Sequence, residues 1–198
     1  MKNKSLLMTI AILILAMSSI AQTTGSFTDS RDGKVYKTVK IGTQTWMAEN
    51  LAYKAGYGCW AYNNNDSNVA KYGYLYDWKL AKTVCPAGWH LPSDAEWLAL
   101  IKYLGGDSLA GGKLKMTTAW VSPNTGANNS SGFSALPGGF YYSLDDTFNS
   151  FGQTGDWWSA SESSEFRAWN WVLGYDGASV NHLSTNKDFS MSVRCIKD

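Results

Sequence analysis

The sequence predicts an α+β fold, and three observations carry that reading. Strand-like stretches occupy both ends of the chain, one well-capped helical segment lies between them, and long runs rich in Gly, Asn and Ser separate the rest. Strands first and last with helices and loops between suit a mainly antiparallel sheet shared by the two ends, one or two principal helices and long irregular loops.

The elements follow in order. Lys2 and Lys4 precede an apolar run from Leu6 to Ala16 that ends in Ser19-Ile20-Ala21. That is the pattern of a secretory signal peptide over residues 1–21, cut before Gln22. A membrane anchor is the rival, but an apolar run of about a dozen residues falls short of the roughly 20 that span a bilayer. The expectation is a secreted or cell-surface protein with no membrane insertion after cleavage. Residues 22–26 then form a short lead-in and 27–198 a single domain, long enough for a real core.

Asp32-Gly33 signals a hairpin, and Val35, Val39 and Ile41 alternate with Tyr36, Thr38 and Lys40 before the turn at Gly42-Thr43. Residues 53–73, with "NNNDSN" at 63–68, read as an irregular surface loop, and "LYDWKLAK" at 75–82 as a short helix. In "CPAGWHLPSDAEW" at 85–97, Ser93 stands three residues before Glu96, and Trp97, Leu98, Leu100, Ile101 and Leu104 follow on helical spacing. This is a capping box: the Ser93 hydroxyl accepts from the Glu96 N–H while the Glu96 carboxylate reaches back to the Ser93 N–H. Asp94 suits the positive end of the helix dipole, and Gly105-Gly106 ends the helix. A second short helix is expected near 109–115, inside a long irregular region. The last third returns to strands: "DWWSAS", "AWNWVL" with Trp169, Trp171 and Leu173 on one face, "ASVNHL", and "FSMSVRCI" with Met191, Val193 and Cys195 on one face.

Charge excludes some functions. The chain carries 17 basic and 16 acidic side chains, and losing Lys2 and Lys4 leaves a net charge of −1, which attracts neither nucleic acid nor an anionic membrane. Ten tryptophans are the most unusual feature of the composition. Large aromatics supply core in a loop-rich domain and also flat platforms for sugars and peptides. The three cysteines, Cys59, Cys85 and Cys195, suggest one bridge and one spare in an exported protein, and counting does not choose the pair.

Five motifs together carry a resemblance: "FTDSRDGKVYKTVKIGTQTWMAENL" at 27–51, "YGYLYDW" at 72–78, "CPAGWHLPSDAEW" at 85–97, "WWSASE" at 157–162 and "SVRCIKD" at 192–198. In this order they closely resemble the Fibrobacter succinogenes major paralogous domain, a bacterial secreted family. That family in turn looks like a branch of the C-type-lectin-like and formylglycine-generating-enzyme-like folds, which implies a C-type-lectin-like domain whose terminal strands pair and whose long loops bind. The resemblance also implies a bridge between Cys85 and Cys195. Many relatives have another cysteine where this chain has Val69, so Cys59 is left unpaired, buried or open to an intermolecular bridge.

Catalysis finds little support in the residues. Formylglycine-generating chemistry needs a close cysteine pair near the C-terminus, and only Cys195 stands there. His90 and His182 lack metal-ligand spacing with another His or Cys. A His90, Ser93 and Asp94 triad competes with the better account of Ser93 and Asp94 as cap and dipole partner. Calcium prefers six to eight oxygens with several carboxylates, whereas "NNNDSN" holds only Asp66; the sequence leaves room for a calcium site but lends it no support, and no cofactor is expected. What remains is a non-catalytic binding or adhesion module for a glycan or an extracellular protein, with a formylglycine-generating-type enzyme and a structural surface protein as alternatives. The candidate contacts, chosen because they lie in or beside loops, are Trp120, Asn124, Asn128, Asn129, Tyr141, Tyr142, Trp157 and Asn181.

Overall fold

A computed structural model describes residues 23–198; the expected signal peptide at 1–21 lies outside the described residues. The first hairpin forms around Asp32-Gly33: β1 (Thr24–Thr28) pairs antiparallel with β2 (Val35–Ile41), and β2 with β3 (Gln44–Met47). The strand starts before the expected boundary at Phe27, because Thr24 already pairs with Val39.

Residues 53–73 are less irregular than their composition suggests. They contain β4 (Cys59–Trp60), two single 3-10 turns and α1 (Val69–Tyr72). The expected helix over 75–82 splits in two, into β5 (Leu75–Asp77) and α2 (Trp78–Ala81). Sheet pairing claims Leu75 and Tyr76, and the Asp77 side chain caps α2 by accepting from the Leu80 N–H at 2.7 Å. After β6 (Trp89–His90), α3 (Asp94–Tyr103) begins with the full capping box of Ser93 and Glu96. The next helix, α4 (Asp107–Leu114), presents Gly111 and Gly112 to the backbone of Ser179 and Gly126 so closely that a Cβ at either would overlap a carbonyl.

The second half supplies β7 (Phe140–Tyr142), β8 (Thr147–Asn149), β9 (Thr154–Ser164), β10 (Arg167–Gly174), β11 (Val180–Asn186), β12 (Phe189–Ser192) and β13 (Ile196–Lys197). Two sheets result among the described residues. The five-stranded one has the order β1-β2-β3-β13-β6, so the two ends of the chain share it as expected. The eight-stranded one runs β11-β10-β9-β12-β5-β4, with β7 joined to β12 and β8 to β7. All pairings between the named strands are antiparallel except β9 with β12, and these sheets with a few short helices are compatible with the α+β class or with a mainly β one.

Tryptophan fills the space between α3 and the sheets. Trp46 and Trp97 meet at 4.9 Å between ring centroids, Phe133 packs on both, and Trp157 and Trp171 complete the cluster. A second cluster holds Met191, Val193 and Cys195, the predicted inward face of the last strands. Cys85 and Cys195 form the disulfide and close a loop 110 residues in separation. Cys59 is a free, half-buried thiol that donates to the Ala55 carbonyl, and burial pushes its pKa up.

Candidate functional site

One hollow with aromatic and polar lining lies on a face of the eight-stranded sheet, and strand register builds it. Ser190 in β12 stands opposite Asp77 in β5 and Tyr141 in β7, while Trp60 in β4 stands opposite Leu75. Cross-strand partners share a face, as do residues two apart on a strand, so Trp60, Leu75, Asp77, Tyr141 and Ser190 all point the same way. Trp60 stacks on Tyr141 with centroids 4.7 Å apart. Over this floor opens a cleft of about 290 Å³, lined by Trp60, Asp77, Trp78, Lys187, Asp188 and Ser190.

Its walls are held firmly. The Trp78 indole N–H donates to the Ser159 carbonyl at 2.8 Å, and its ring has the Lys82 and Lys187 ammonium groups over it at 3.9 and 4.3 Å. Lys187 also donates to the Glu165 carbonyl and pairs with Glu162. Ser143 donates through both its N–H and its hydroxyl to the Asp188 carbonyl, which fixes the turn beside β12.

One group inside the cleft is not satisfied. Among the described residues four buried side-chain polar atoms lack a hydrogen-bond partner, on Trp97, Asn124, Asn170 and Ser190, and Ser190 is the one that lines this cleft. Its residue is 1% exposed. A buried hydroxyl without a partner costs about 1–3 kcal/mol.

The surroundings are apolar and exposed. Tyr57 (78% exposed), Phe166 (69%) and Leu144 (67%) are the most exposed large hydrophobic residues described. Leu144 follows Ser143 of the cleft lining, the Phe166 carbonyl accepts from the Lys187 N–H, and Tyr57 lines an adjoining hollow that shares Asp77 and Lys79 with the cleft.

The residues expected to make contacts do not come together here. Trp120 is buried and donates to the Ala135 carbonyl, and Trp157 is buried inside β9 and donates to Asn50 Oδ1, so both correct the expectation of loop-borne contacts. Asn124, Asn128 and Asn129 hold their own loop: their side chains bond the Met116 carbonyl, the Ser130 N–H and Ser134. Tyr141 is likewise buried and bonds Asp146, although it supports the cleft through Trp60. Tyr142 stacks on Phe189 at 4.5 Å, near the cleft. Asn181 is exposed on β11, on a different strand edge.

Trp60, Asp77, Lys79, Asp188 and Ser190 escaped the sequence reading, because only pairing across more than 100 positions brings Trp60 and Ser190 to one face. The one local signal is the small polar Ser190 alternating with Met191 in a strand of core residues.

In the segment 85–97 the polar side chains bond one another and Asp198. His90 bridges two carboxylates, Asp198 at 2.6 Å and Glu96 at 2.9 Å, while the Ser93 hydroxyl donates to Glu96 at 2.7 Å. Burial opposes the charge on His90, but the bonds to Asp198 and Glu96 outweigh it and raise its pKa. Asp94, expected to serve the helix dipole, also accepts from the Trp171 indole and the His182 ring, the latter stacked between Trp169 and Trp171 at 4.3 Å from each. Among the described residues no group of three or more His, Cys, Asp or Glu is placed to hold a metal ion, and no helix is long and apolar enough to cross a membrane.

Residues 39–197 match the Fibrobacter succinogenes major domain. The chain belongs to that family. No curated protein and no solved structure matches it. The Fibrobacter succinogenes major domain of this chain contains the capping box, both half-cystines and every residue that lines the cleft, whereas β1 lies before it.

Proposed function

We propose that the protein is a secreted or cell-surface binding module, without catalytic activity, that holds a glycan in the cleft between Trp60 and Trp78. The unpartnered hydroxyl of Ser190 carries this reading. A hydroxyl that lacks a partner is matched by a ligand hydroxyl, and the Asp188 carboxylate and the indole of Trp60 offer the acceptor and the flat apolar surface that a sugar ring uses. A C-type-lectin-like architecture is part of the proposal, supported by the pairing of β13 with β3 and by the bridge from Cys85 to Cys195.

Glycan-array binding of the mature protein and of Ser190→Ala, each with calcium and with chelator, tests it. The variant removes an unsatisfied buried hydroxyl, so its thermal stability should hold or rise while glycan binding falls by about tenfold, the worth of one hydrogen bond. Wild-type binding in Ser190→Ala would sink the cleft as the site. A second reading, capture of an extracellular protein, is favoured by the exposed Tyr57, Leu144 and Phe166 around the same cleft.

A further inference from the structure

We infer that the ligand is a linear chain of sugar units lying across two joined hollows, not a single terminal sugar; the inference rests on the glycan reading above. The cleft of about 290 Å³ meets a second hollow of about 280 Å³, and Asp77 and Lys79 line both. Each hollow alone lies just below the usual range of ligand pockets, roughly 300 Å³ and upward, and the two joined lie inside it.

The far hollow has the features of a second subsite. Tyr57 lines it between Gly56 and Gly58 and leaves most of its ring in solvent, which suits stacking on a sugar face. Lys79 stands at the junction, and among the described residues its ammonium makes no hydrogen bond or ion pair. It can donate to the oxygens on either side of a glycosidic linkage. Asp77 uses Oδ1 to cap α2 and keeps Oδ2 as an acceptor for a sugar hydroxyl. Lys79, Lys82 and Lys187 line the hollows together with Asp77 and Asp188, so donors and acceptors are both at hand for a hydroxyl-rich chain.

Titration calorimetry of the mature protein with mono-, di- and tetrasaccharides of glucose, galactose, mannose and N-acetylglucosamine tests this. For the sugar that binds, affinity should rise at least tenfold from mono- to disaccharide. Tyr57→Ala should remove that rise and leave monosaccharide affinity unchanged, and because Tyr57 is largely exposed the variant should fold normally. Affinity independent of chain length, or a wild-type length dependence in Tyr57→Ala, overturns the chain inference and leaves the glycan reading standing. Absence of binding by every saccharide overturns the glycan reading itself.

Discussion

Asn50 and Arg194 hold each other at the junction of the two sheets: Asn50 Oδ1 accepts from Arg194 Nη2 at 2.7 Å and Nε at 3.2 Å, and also from the Trp157 indole at 2.9 Å. The guanidinium is fully buried, lies 4.3 Å from the centre of the Phe133 ring and donates to the carbonyls of Met47, Phe133 and Ser134. Among the described residues no carboxylate is within ion-pair distance of it, so one amide and a ring of carbonyls offset the desolvation of the charge. Asn50→Leu should therefore cost about 3 kcal/mol or more, read as a lowered urea midpoint. The double variant with Arg194→Met should cost less than the sum of the two single changes, since the stranded charge is gone.

Lys115 does a similar job for the long loop. Its buried ammonium donates to three carbonyls, of Thr125 at 3.0 Å, Gly174 at 2.8 Å and Gly177 at 2.7 Å, which matches its three N–H groups. Burial lowers its pKa. Lys115→Met should destabilise by about 3 kcal/mol. Hydrogen exchange should show the loss concentrated at residues 124–128 and 174–178.

The Cys85–Cys195 bridge closes a long loop, 110 residues in separation. Chain entropy assigns such a closure about 4 to 5 kcal/mol. Replacing both cysteines by serine, or adding reductant, should lower the unfolding free energy by up to that amount. Cys59→Ser should leave it nearly unchanged, because that thiol bonds one carbonyl in a half-buried loop.

Stability should peak in mild acid. Asp156 is buried with Thr154 as its hydrogen-bond partner, and burial raises its pKa to about 6 from 3.8. Below the unfolded value both states are protonated; as pH rises toward 6 the folded state binds more protons than the unfolded one, and stability falls. A shift of roughly two units is worth about 3 kcal/mol. Asp156→Asn should thus stabilise by roughly that much above pH 7 and not at all below pH 4, measured by urea unfolding across pH. His90, with a raised pKa, adds a loss of the same sign as pH climbs through its folded value. Asp29 works the other way: the hydrogen bonds from Arg31 lower its pKa, and its contribution disappears as pH falls through the lowered value.

Local chemistry was legible in the sequence wherever partners are close along the chain. The Ser93–Glu96 capping box, the Asp32-Gly33 hairpin and the inward face of Met191, Val193 and Cys195 each need only a few neighbouring residues to specify them. Leu75 and Tyr76 read as helix because their partners in β12 lie more than 100 positions away. The same distance hid the cleft, whose two sides come from β4–β5 and from β12. Of the tryptophans chosen as contacts, Trp120 sits among loop-like residues and Trp157 in the expected strand "DWWSAS" beside a loop, yet their indole N–H groups find buried acceptors at Ala135 and Asn50 that composition does not reveal.

The position of β13 bears on how the protein comes into being. Ile196 pairs with Trp46 on one side and His90 on the other, so β13 lies inside the five-stranded sheet although its neighbours β3 and β6 come more than 100 positions earlier, and Cys195 immediately before it completes the bridge. Synthesis runs from the N-terminus, and this sheet has a gap between β3 and β6 until β13 emerges. Completion of that sheet must wait until β13 has been made, and a polypeptide lacking β13 would carry an unfilled slot between two strand edges, a form open to capture by chaperones, proteases or another copy's β13.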